Sequence, residues 1–394
     1  MILGAGTFAQ SSFTAVSVGL AALAPALRSH YRLSLGETGV VLGAVGIGML
    51  PTLLPWGLLA DRLGERSVIA LGLAGAGAAL AAAAATHSFA ALTGALIVAG
   101  ALGASVNAAS GRAVMGWFGA GERGLALGIR QTSTPIGGAS AAAGLPWLAS
   151  AGGTHLAFVV LACGCGAGAL VAGILMREAP VRTPELGDVT RPARDPRMWL
   201  LAGGSALYLT AQIAVTGFVV LFLHEHRGLS AHSAAALLAG INVAGIGARI
   251  AAGRWSDRSR TRLAPLRVIG LALVAGTAVV AALVDAPLAV LLPALAVAGM
   301  LSLAWNGLSF TAAAEAAGPA RSGAALGFQQ TALGVMVALV PPGFAAVVAA
   351  SSWRVAFALA AIGPLLGVLA LRNVPEATSA ERRLGTSAIP PAAR

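Results

Sequence analysis

The chain has 394 residues, of which 57% are hydrophobic and 10% are charged, and its mean hydropathy is +0.84. This composition is too apolar for a soluble globular protein of this length, and it predicts a protein of the lipid bilayer. The formal net charge of +11 comes from arginines that lie mostly between the hydrophobic segments. That placement favours a membrane-topology signal over nucleic-acid binding, so no nucleic-acid partner is expected.

Polar interruptions divide the chain into twelve hydrophobic segments, each long enough to cross the hydrocarbon core. Helices are expected, because lipid does not tolerate unpaired backbone polar groups. Gly and Ala dominate the segments, as is typical where membrane helices pack closely. The predicted segments are 2–27, 38–60, 67–86, 90–116, 125–150, 155–176, 198–223, 232–252, 265–284, 288–316, 323–349 and 353–371.

The arginines indicate which segment ends face the cytoplasm. Most of them lie on the side that carries both chain termini. Four lie on the opposite side: Arg28, Arg32, Arg227 and Arg354. By the positive-inside rule, both termini are predicted to be cytoplasmic, in a bacterial inner membrane. Residues 177–197, which include four prolines, are then a cytoplasmic linker, and residues 373–394 are a cytoplasmic tail.

The second half of the sequence repeats features of the first half. Asn107 precedes Asn306 by 199 residues, and Arg130 precedes Gln329 by the same distance. The simplest interpretation is an all-α integral membrane protein with twelve transmembrane helices in two pseudo-symmetric six-helix bundles. The predicted bundles are residues 1–176 and 198–372. A binding site is expected at the interface between such bundles.

A charged motif follows the second segment and recurs, less completely, after the eighth. The copies read Gly57-Leu-Leu-Ala-Asp61-Arg62-Leu-Gly64-Glu-Arg66 and Gly253-Arg-Trp-Ser-Asp257-Arg258. Glycine lets helices cross closely, aspartate can accept hydrogen bonds from a neighbouring helix N-terminus, and arginine can bind carboxylates or lipid phosphates. The alternative is that these are ordinary loop charges that set the topology.

With the twelve segments and the central linker, this motif resembles the signature of the major facilitator superfamily, and the resemblance covers the whole chain. It implies that Asp61 contacts the start of segment 11 when the cytoplasmic side is closed, and that Asp257 does the same at segment 5. Glu315 lies at the same face, where it either joins this gate or stays solvated. Arg112, about one turn inside segment 4, is expected to pair with a gate carboxylate.

Ionisable residues inside a span are costly and are therefore functional candidates. Arg249 lies eight residues before Asp257 and has three glycines nearby. Its setting resembles segment 8 of facilitators for monocarboxylates, nitrate or cyanate, in which an Arg holds the anion. Guanidinium suits that role because it stays charged and offers a planar fork. The alternatives are that Arg249 reaches the cytoplasm or pairs with Glu315.

Arg130 and Gln131 in segment 5 have their repeat counterparts, Gln329 and Gln330, at the same depth in segment 11. Arg130 is the second candidate for binding the anion, with a structural hydrogen bond to segment 4 as its alternative. The remaining candidates for the substrate site are equally compatible with helix packing. They are Gln10, Tyr208, Gln212, Asn242, Trp305 and Asn306.

The sequence also limits the chemistry. Acidic and histidine residues lie near span ends or in loops, so a coupled proton needs a rim group such as Glu37, His224 or His232, or must travel on the substrate. The sequence has no nucleophile-base pair, phosphate-binding loop or metal-ligand cluster. We therefore expect neither an enzyme nor a metal or cofactor site.

These observations predict a monomeric, lipid-embedded secondary transporter, active or facilitative, for a small anion, with a monocarboxylate as the expected substrate. Two alternatives stay open. One is proton-coupled efflux of a hydrophobic drug or metabolite, although Leu96-Ile-Val-Ala-Gly100 is apolar where drug antiporters carry an Arg. The other is a non-transporting receptor or lipid-handling protein.

Overall fold

The computed structural model describes residues 2–117, 129–177, 194–317 and 322–375, which are mainly helical and contain no β-strand. Twelve membrane-crossing helices can be distinguished in these ranges. They are α1 (Ile2–Tyr31), α2 (Leu35–Leu63), α3 (Glu65–Ala84), α4 (Phe89–Trp117), α5 (133–151), α6 (154–175), α7 (Pro196–His226), α8 (Ala231–Ser259), α9 (Leu263–Ala282), α10 (Leu288–Ala317), α11 (Ser322–Ala350) and α12 (Trp353–Arg372). The predicted fold class is confirmed.

One apolar helical stretch contains two of these crossings. Ile129–Leu175 has 47 residues, which is roughly 70 Å of helix at 1.5 Å per residue and about twice the hydrocarbon thickness. Gly152 and Gly153 leave the helical conformation, with φ values of −142° and +69°. Positive φ is strained for residues with a Cβ, so Gly153 allows the turn that separates α5 from α6.

Side-chain caps begin several helices on the predicted outer face. Ser34 Oγ accepts a hydrogen bond from the Glu37 backbone at 3.2 Å, and the Glu37 carboxylate accepts one from the Ser34 backbone at 2.8 Å. This capping box begins α2, while Ser230 and Ser352 cap α8 and α12. The caps satisfy N–H groups that the helices themselves leave unpaired.

Each half of the described chain has its own apolar core. Buried side chains between Ala5 and Met176 form one cluster confined to α1–α6. The second half has two clusters, and one of them also contains small residues of the first half, namely Ala21, Ala22, Ala24 and Ala142. The halves therefore pack against each other there. The predicted bundle boundaries stay predictions, and residues 178–193 of the linker and 376–394 of the tail lie outside the described residues.

Several helices extend beyond the predicted segments. α2 continues to Leu63 and α8 to Ser259, so Asp61 and Asp257 belong to final helical turns rather than to loops. Gly64 alone, with φ of 80°, separates α2 from α3. Charged side chains mark the limit of the apolar core but do not end a helix, because they reach water while the backbone keeps its hydrogen bonds.

Candidate functional site

A cavity of about 240 Å³ lies between the two halves. α1, α2, α4 and α5 line it from the first half, and α7, α10 and α11 from the second. Five amide side chains contribute to the lining: Gln10, Asn107, Gln212, Asn306 and Gln330. Most of the remaining lining is apolar and includes Phe13, Val45, Phe218, Leu333 and Val337. The volume is slightly below the range of roughly 300–1,000 Å³ found for drug-sized ligands, so the cavity fits a small molecule.

Two helices of the second half lose regular α-helical geometry beside the cavity. α7 contains the π-helical stretch Ile213–Gly217, and both of these residues line the cavity. α10 is interrupted at Trp305, directly before Asn306. Irregular backbone at membrane depth is tolerated where it lines a cavity, and π-helical turns are frequent at functional sites.

A polar network in the first half connects the cavity to Arg130, which is 5% exposed. Arg130 Nη1 donates to Gln10 Oε1 at 2.8 Å and to Ser110 Oγ at 3.1 Å. Ser110 also donates to Gln10 Oε1 at 3.0 Å, and Gln10 Nε2 donates to Asn107 Oδ1 at 3.1 Å. Among the described residues no carboxylate pairs with Arg130. Its positive charge, directly behind the lining residue Gln10, is therefore not compensated by any carboxylate in the described part of the chain.

A second network occupies the equivalent place in the other half. Gln212 Oε1 accepts hydrogen bonds from Trp305 Nε1 at 3.1 Å and from Asn306 Nδ2 at 3.3 Å. Gln329 Nε2 donates to Ser309 Oγ at 2.6 Å. Gln329 is fully buried, and its Oε1 atom has no partner in the described part of the chain.

The two networks are related by the internal repeat. In order, Gln10, Asn107, Ser110 and Arg130 correspond to Gln212, Asn306, Ser309 and Gln329. The sequence interpretation missed both serines, although Ser110 and Ser309 have the same spacing of 199 residues as the asparagines. The networks differ in charge where Arg130 corresponds to Gln329, so the positive charge belongs to the first half.

Arg249 makes a different kind of contact from the one predicted for it. Its Nε donates to the carbonyl of Leu303 at 2.8 Å, and its Nη1 donates to the carbonyl of Gln131 at 2.6 Å. Both carbonyls lie next to helix irregularities, at Trp305 and at Thr132. Arg249 is not part of the cavity lining and has no carboxylate partner among the described residues. Its contacts join α8 to the other half of the protein.

The other predicted substrate residues divide into lining and buried positions. Gln10, Gln212, Asn306 and Gln330 line the cavity, whereas Gln131 contributes its carbonyl to Arg249. Three other residues have contacts within the protein. Tyr208 Oη donates to the carbonyl of Leu266 at 3.2 Å, Asn242 Nδ2 donates to the carbonyl of Leu238 at 2.9 Å, and Trp305 is fully buried beside Gln212.

The halves are joined on the predicted outer face. Arg28 of α1 and Glu225 of α7 form an ion pair. α2 and α11 approach so closely that a Cβ on Gly39 would lie 2.4 Å from the Cβ of Ala345. Ser150 and His232 are 3.5 Å apart between α5 and α8. These contacts connect α1 to α7, α2 to α11 and α5 to α8 on that side.

Residues 5–341 match the sequence profile of the Major Facilitator Superfamily. The chain belongs to this superfamily. Two curated relatives, both uncharacterized MFS-type transporters of Mycobacterium tuberculosis, are 36% and 35% identical over 376 residues, which cover 93% of this chain and 83% of each relative. The protein is a multi-pass membrane transporter of this superfamily. The names of these relatives specify no substrate, so the narrower resemblance to anion carriers stays a prediction.

Solved structures of other facilitators share the fold of this transporter. The xylose transporter XylE from E. coli superposes with a TM-score of 0.78 at 14% identity, over 95% of this chain and 99% of that one. A bacterial homolog of the human lysosomal transporter Spinster, in an inward-facing and occupied conformation, superposes with a TM-score of 0.72 at 17% identity, over 98% of this chain and 97% of that one. The human organic anion transporter MFSD10 superposes with a TM-score of 0.71 at 18% identity, over 94% of this chain and 98% of that one.

The predicted gate of the transporter is partly described. Arg262 contacts Asp257 at 2.5 Å and Glu315 at 3.0 Å, so Glu315 pairs with Arg262 and not with Arg249. Among the described residues, a Cβ on Gly57 or Gly253 would meet no atom within 4 Å, so these glycines are not seen at a close helix crossing. The arginines of the two motif copies are exposed: Arg62, Arg66, Arg254 and Arg258. The side chains of Asp61 and Arg112 lie outside the described residues, so their gate contacts stay predictions.

Metal-binding residues are not grouped in the described part of the transporter, where no cluster of three or more His, Cys, Asp or Glu side chains is arranged to hold an ion. Cys163 and Cys165 are free thiols, the first exposed and the second buried.

Proposed function

We propose that this transporter moves a small anion, a monocarboxylate, across the bacterial inner membrane by alternating access, with both termini in the cytoplasm. The observation that carries the proposal is the buried guanidinium of Arg130, whose Nη1 donates hydrogen bonds to the neutral Gln10 and Ser110. Alternating access follows from two related halves with a site between them, because small relative tilts can open that site to either side.

A buried cation without a counter-charge favours binding of an anion in a low-dielectric site. Burying a cation is costly unless a counter-charge is present, and an anion in the adjacent cavity supplies one. Arg130 is the residue for this role because guanidinium stays charged when it is buried. Its repeat counterpart, Gln329, is neutral, so we place the carboxylate of the substrate against the first half.

The apolar lining favours a substrate with a hydrocarbon part. Phe13, Val45, Phe218, Leu333 and Val337 can contact an aliphatic chain, while the amides contact the polar groups. The volume of about 240 Å³ suits a short chain. Nitrate and cyanate lack such a chain and would leave much of this surface unused.

Uptake into proteoliposomes tests the proposal. Radiolabelled propionate and butyrate would be supplied to purified wild-type protein and to Arg130→Gln, which gives the first half the residue found in the second. We expect Arg130→Gln to lower uptake at least about tenfold, as for the loss of a charged hydrogen-bonding group. Arg130→Lys should retain part of the activity because it keeps the charge.

Arg372→Gln is the matched control, because it removes an exposed arginine at the end of α12 that is not part of the cavity lining. We expect wild-type uptake from it. Unchanged uptake by Arg130→Gln, or no uptake of any small carboxylate by the wild type, would contradict the proposal.

The apolar lining also supports a second candidate, export of a hydrophobic compound. That function does not need the charge of Arg130, so Arg130→Gln should leave it intact. Measuring export of a hydrophobic cationic dye from the same proteoliposomes separates the candidates. Dye export that survives Arg130→Gln, together with no carboxylate uptake, would favour this second function.

A further inference from the structure

We propose that the cavity distinguishes the two ends of its substrate, so that the first half binds a carboxylate and the second half binds a hydroxyl group of the same molecule. The substrate class is then small hydroxy monocarboxylates. This inference rests on the proposed anion transport and adds a requirement for the hydroxyl group.

Arg130 fixes the hydrogen-bonding pattern of the first half. Arginine can only donate, so the Gln10 atom 2.8 Å from Arg130 must be its oxygen. Gln10 therefore presents its amide nitrogen to Asn107, whose oxygen accepts that bond at 3.1 Å. Gln10 Oε1 already accepts two hydrogen bonds and Asn107 Oδ1 accepts one, and among the described residues Asn107 Nδ2 contacts only Met49 Sδ, at 3.3 Å, a weak acceptor. Towards the cavity these two amides offer N–H groups.

Trp305 fixes the pattern of the second half in the same way. An indole N–H only donates, so the Gln212 atom 3.1 Å from Trp305 is its oxygen, which also accepts from Asn306 Nδ2. Gln212 Nε2 and Asn306 Oδ1 have no partner among the described residues. Gln330 also lines the cavity without a hydrogen bond in the described structure. The second half therefore offers both a donor and an acceptor.

These two patterns match different chemical groups. An ionised carboxylate only accepts, so it fits the N–H groups of Gln10 and Asn107, with Arg130 behind them. A hydroxyl both donates and accepts, so it fits Gln212 Nε2 and Asn306 Oδ1. A second carboxylate would face the Asn306 oxygen without a proton to donate, so dicarboxylates are disfavoured. The apolar residues between the halves contact the carbon chain.

The test compares three substrates that each have four carbon atoms. Uptake of radiolabelled 3-hydroxybutyrate, butyrate and succinate would be measured in proteoliposomes over a range of concentrations. We expect 3-hydroxybutyrate to half-saturate uptake at a concentration at least about tenfold lower than butyrate, because a site that hydrogen-bonds a hydroxyl rejects the analogue that lacks it. Succinate should be the poorest substrate.

Asn306→Leu removes the acceptor of the second half at similar volume. It should raise the half-saturating concentration of 3-hydroxybutyrate by a larger factor than that of butyrate, so that the preference for the hydroxy acid is lost. Asn107→Leu, the equivalent variant in the first half, should raise the half-saturating concentrations of both substrates. Gln330→Leu provides a second test of the hydroxyl site in case Asn306→Leu does not fold.

The outcomes separate this inference from the proposed function. Equal half-saturation by 3-hydroxybutyrate and butyrate, with uptake still sensitive to Arg130→Gln, would overturn the hydroxyl site alone. The hydroxyl site would also be overturned if Asn306→Leu and Gln330→Leu raised the half-saturating concentrations of both substrates by the same factor. Absence of uptake of all three acids would overturn anion transport and the inference with it.

Discussion

The guanidinium of Arg249 donates a 2.6 Å hydrogen bond to the backbone carbonyl of Gln131, and this bond connects α8 with the helical turn that precedes α5. The same side chain bonds the carbonyl of Leu303 in its own half. Arg249 thus joins two carbonyls next to helix irregularities, one in each half of the transporter. The proposed alternating access requires contacts between the halves to form and break, so we expect this contact to belong to the surfaces that move.

Arg249→Gln should lower uptake at least about tenfold while leaving ligand binding intact, because it removes a charged hydrogen bond between the halves but no cavity-lining group. Arg249→Lys keeps the charge without the fork that reaches both carbonyls, so it should recover little activity. The measurement pairs proteoliposome uptake with the rise in Tm that saturating butyrate produces in purified protein. Loss of that rise in Arg249→Gln would show instead that Arg249 holds the substrate.

Arg28 and Glu225 join α1 to α7 by an ion pair on the predicted outer face. Either Arg28→Glu or Glu225→Arg places like charges together, which should favour opening of this face and lower uptake several-fold. The exchanged pair, with both substitutions, should recover much of the activity because the attraction returns. Uptake by the two single variants and the double variant tests the prediction. A double variant no better than the worse single variant would argue against a role for this pair in closure.

Asp285, in the turn between α9 and α10, gives a pH prediction. Hydrogen bonds from Arg354 at 2.9 Å and from His226 at 3.0 Å hold the pKa of Asp285 below its ordinary value. A carboxyl whose pKa is lower in the folded state stabilises the protein above its unfolded pKa, about 3.9, and loses that contribution as the pH falls through the folded value.

Asp285→Asn should therefore lower the Tm slightly at pH 6 to 7, and the difference from wild type should decrease as the pH falls through the lowered pKa of Asp285 and the carboxyl becomes protonated. Thermal unfolding in detergent across this range gives the comparison. The effect should be small because exposed ion pairs contribute little. In an Arg354→Gln background the difference should shrink, since the larger cause of the pKa shift is gone. A difference that stays constant down to the lowest pH measured would rule out the carboxylate as its source.

The fold and part of the site could be predicted from the sequence because both leave periodic marks. Hydrophobic segments of membrane length give the helices, and the spacing of 199 residues gives the relation of Asn107 to Asn306. The same spacing extends to Ser110 and Ser309, which complete the two networks. A polar residue repeated at equal depth in both halves is therefore a stronger sign of the site than a lone buried amide such as Asn242.

The contacts of Arg249 could not be predicted because its partners are backbone carbonyls. Every residue has a carbonyl, so the sequence does not reveal which ones a break in a helix leaves free. Nothing in the sequence around Trp305 identified the interruption of α10 beforehand. The predicted ends of α2 and α8 are also too short, at Asp61 and Asp257, because charged residues mark the end of the apolar part of a helix and not the end of the helix itself.

Gly100 of α4 crosses α2 at backbone contact, and this crossing gives the last prediction. A Cβ on Gly100 would lie 2.1 Å from the carbonyl oxygen of Val45 and 2.8 Å from the Cα of Val45, so the backbone of α2 would have to move. Gly100→Ala should therefore reduce the free energy of unfolding by about 1–3 kcal/mol, as overpacking does, and lower the Tm in detergent. Gly94→Ala is the matched control in the same helix, because a Cβ there meets no atom within 4 Å. The Tm of Gly94→Ala should equal or exceed that of wild type, since alanine favours helix more than glycine does. Equal melting temperatures for the two variants would mean that the helices separate at this crossing at little cost.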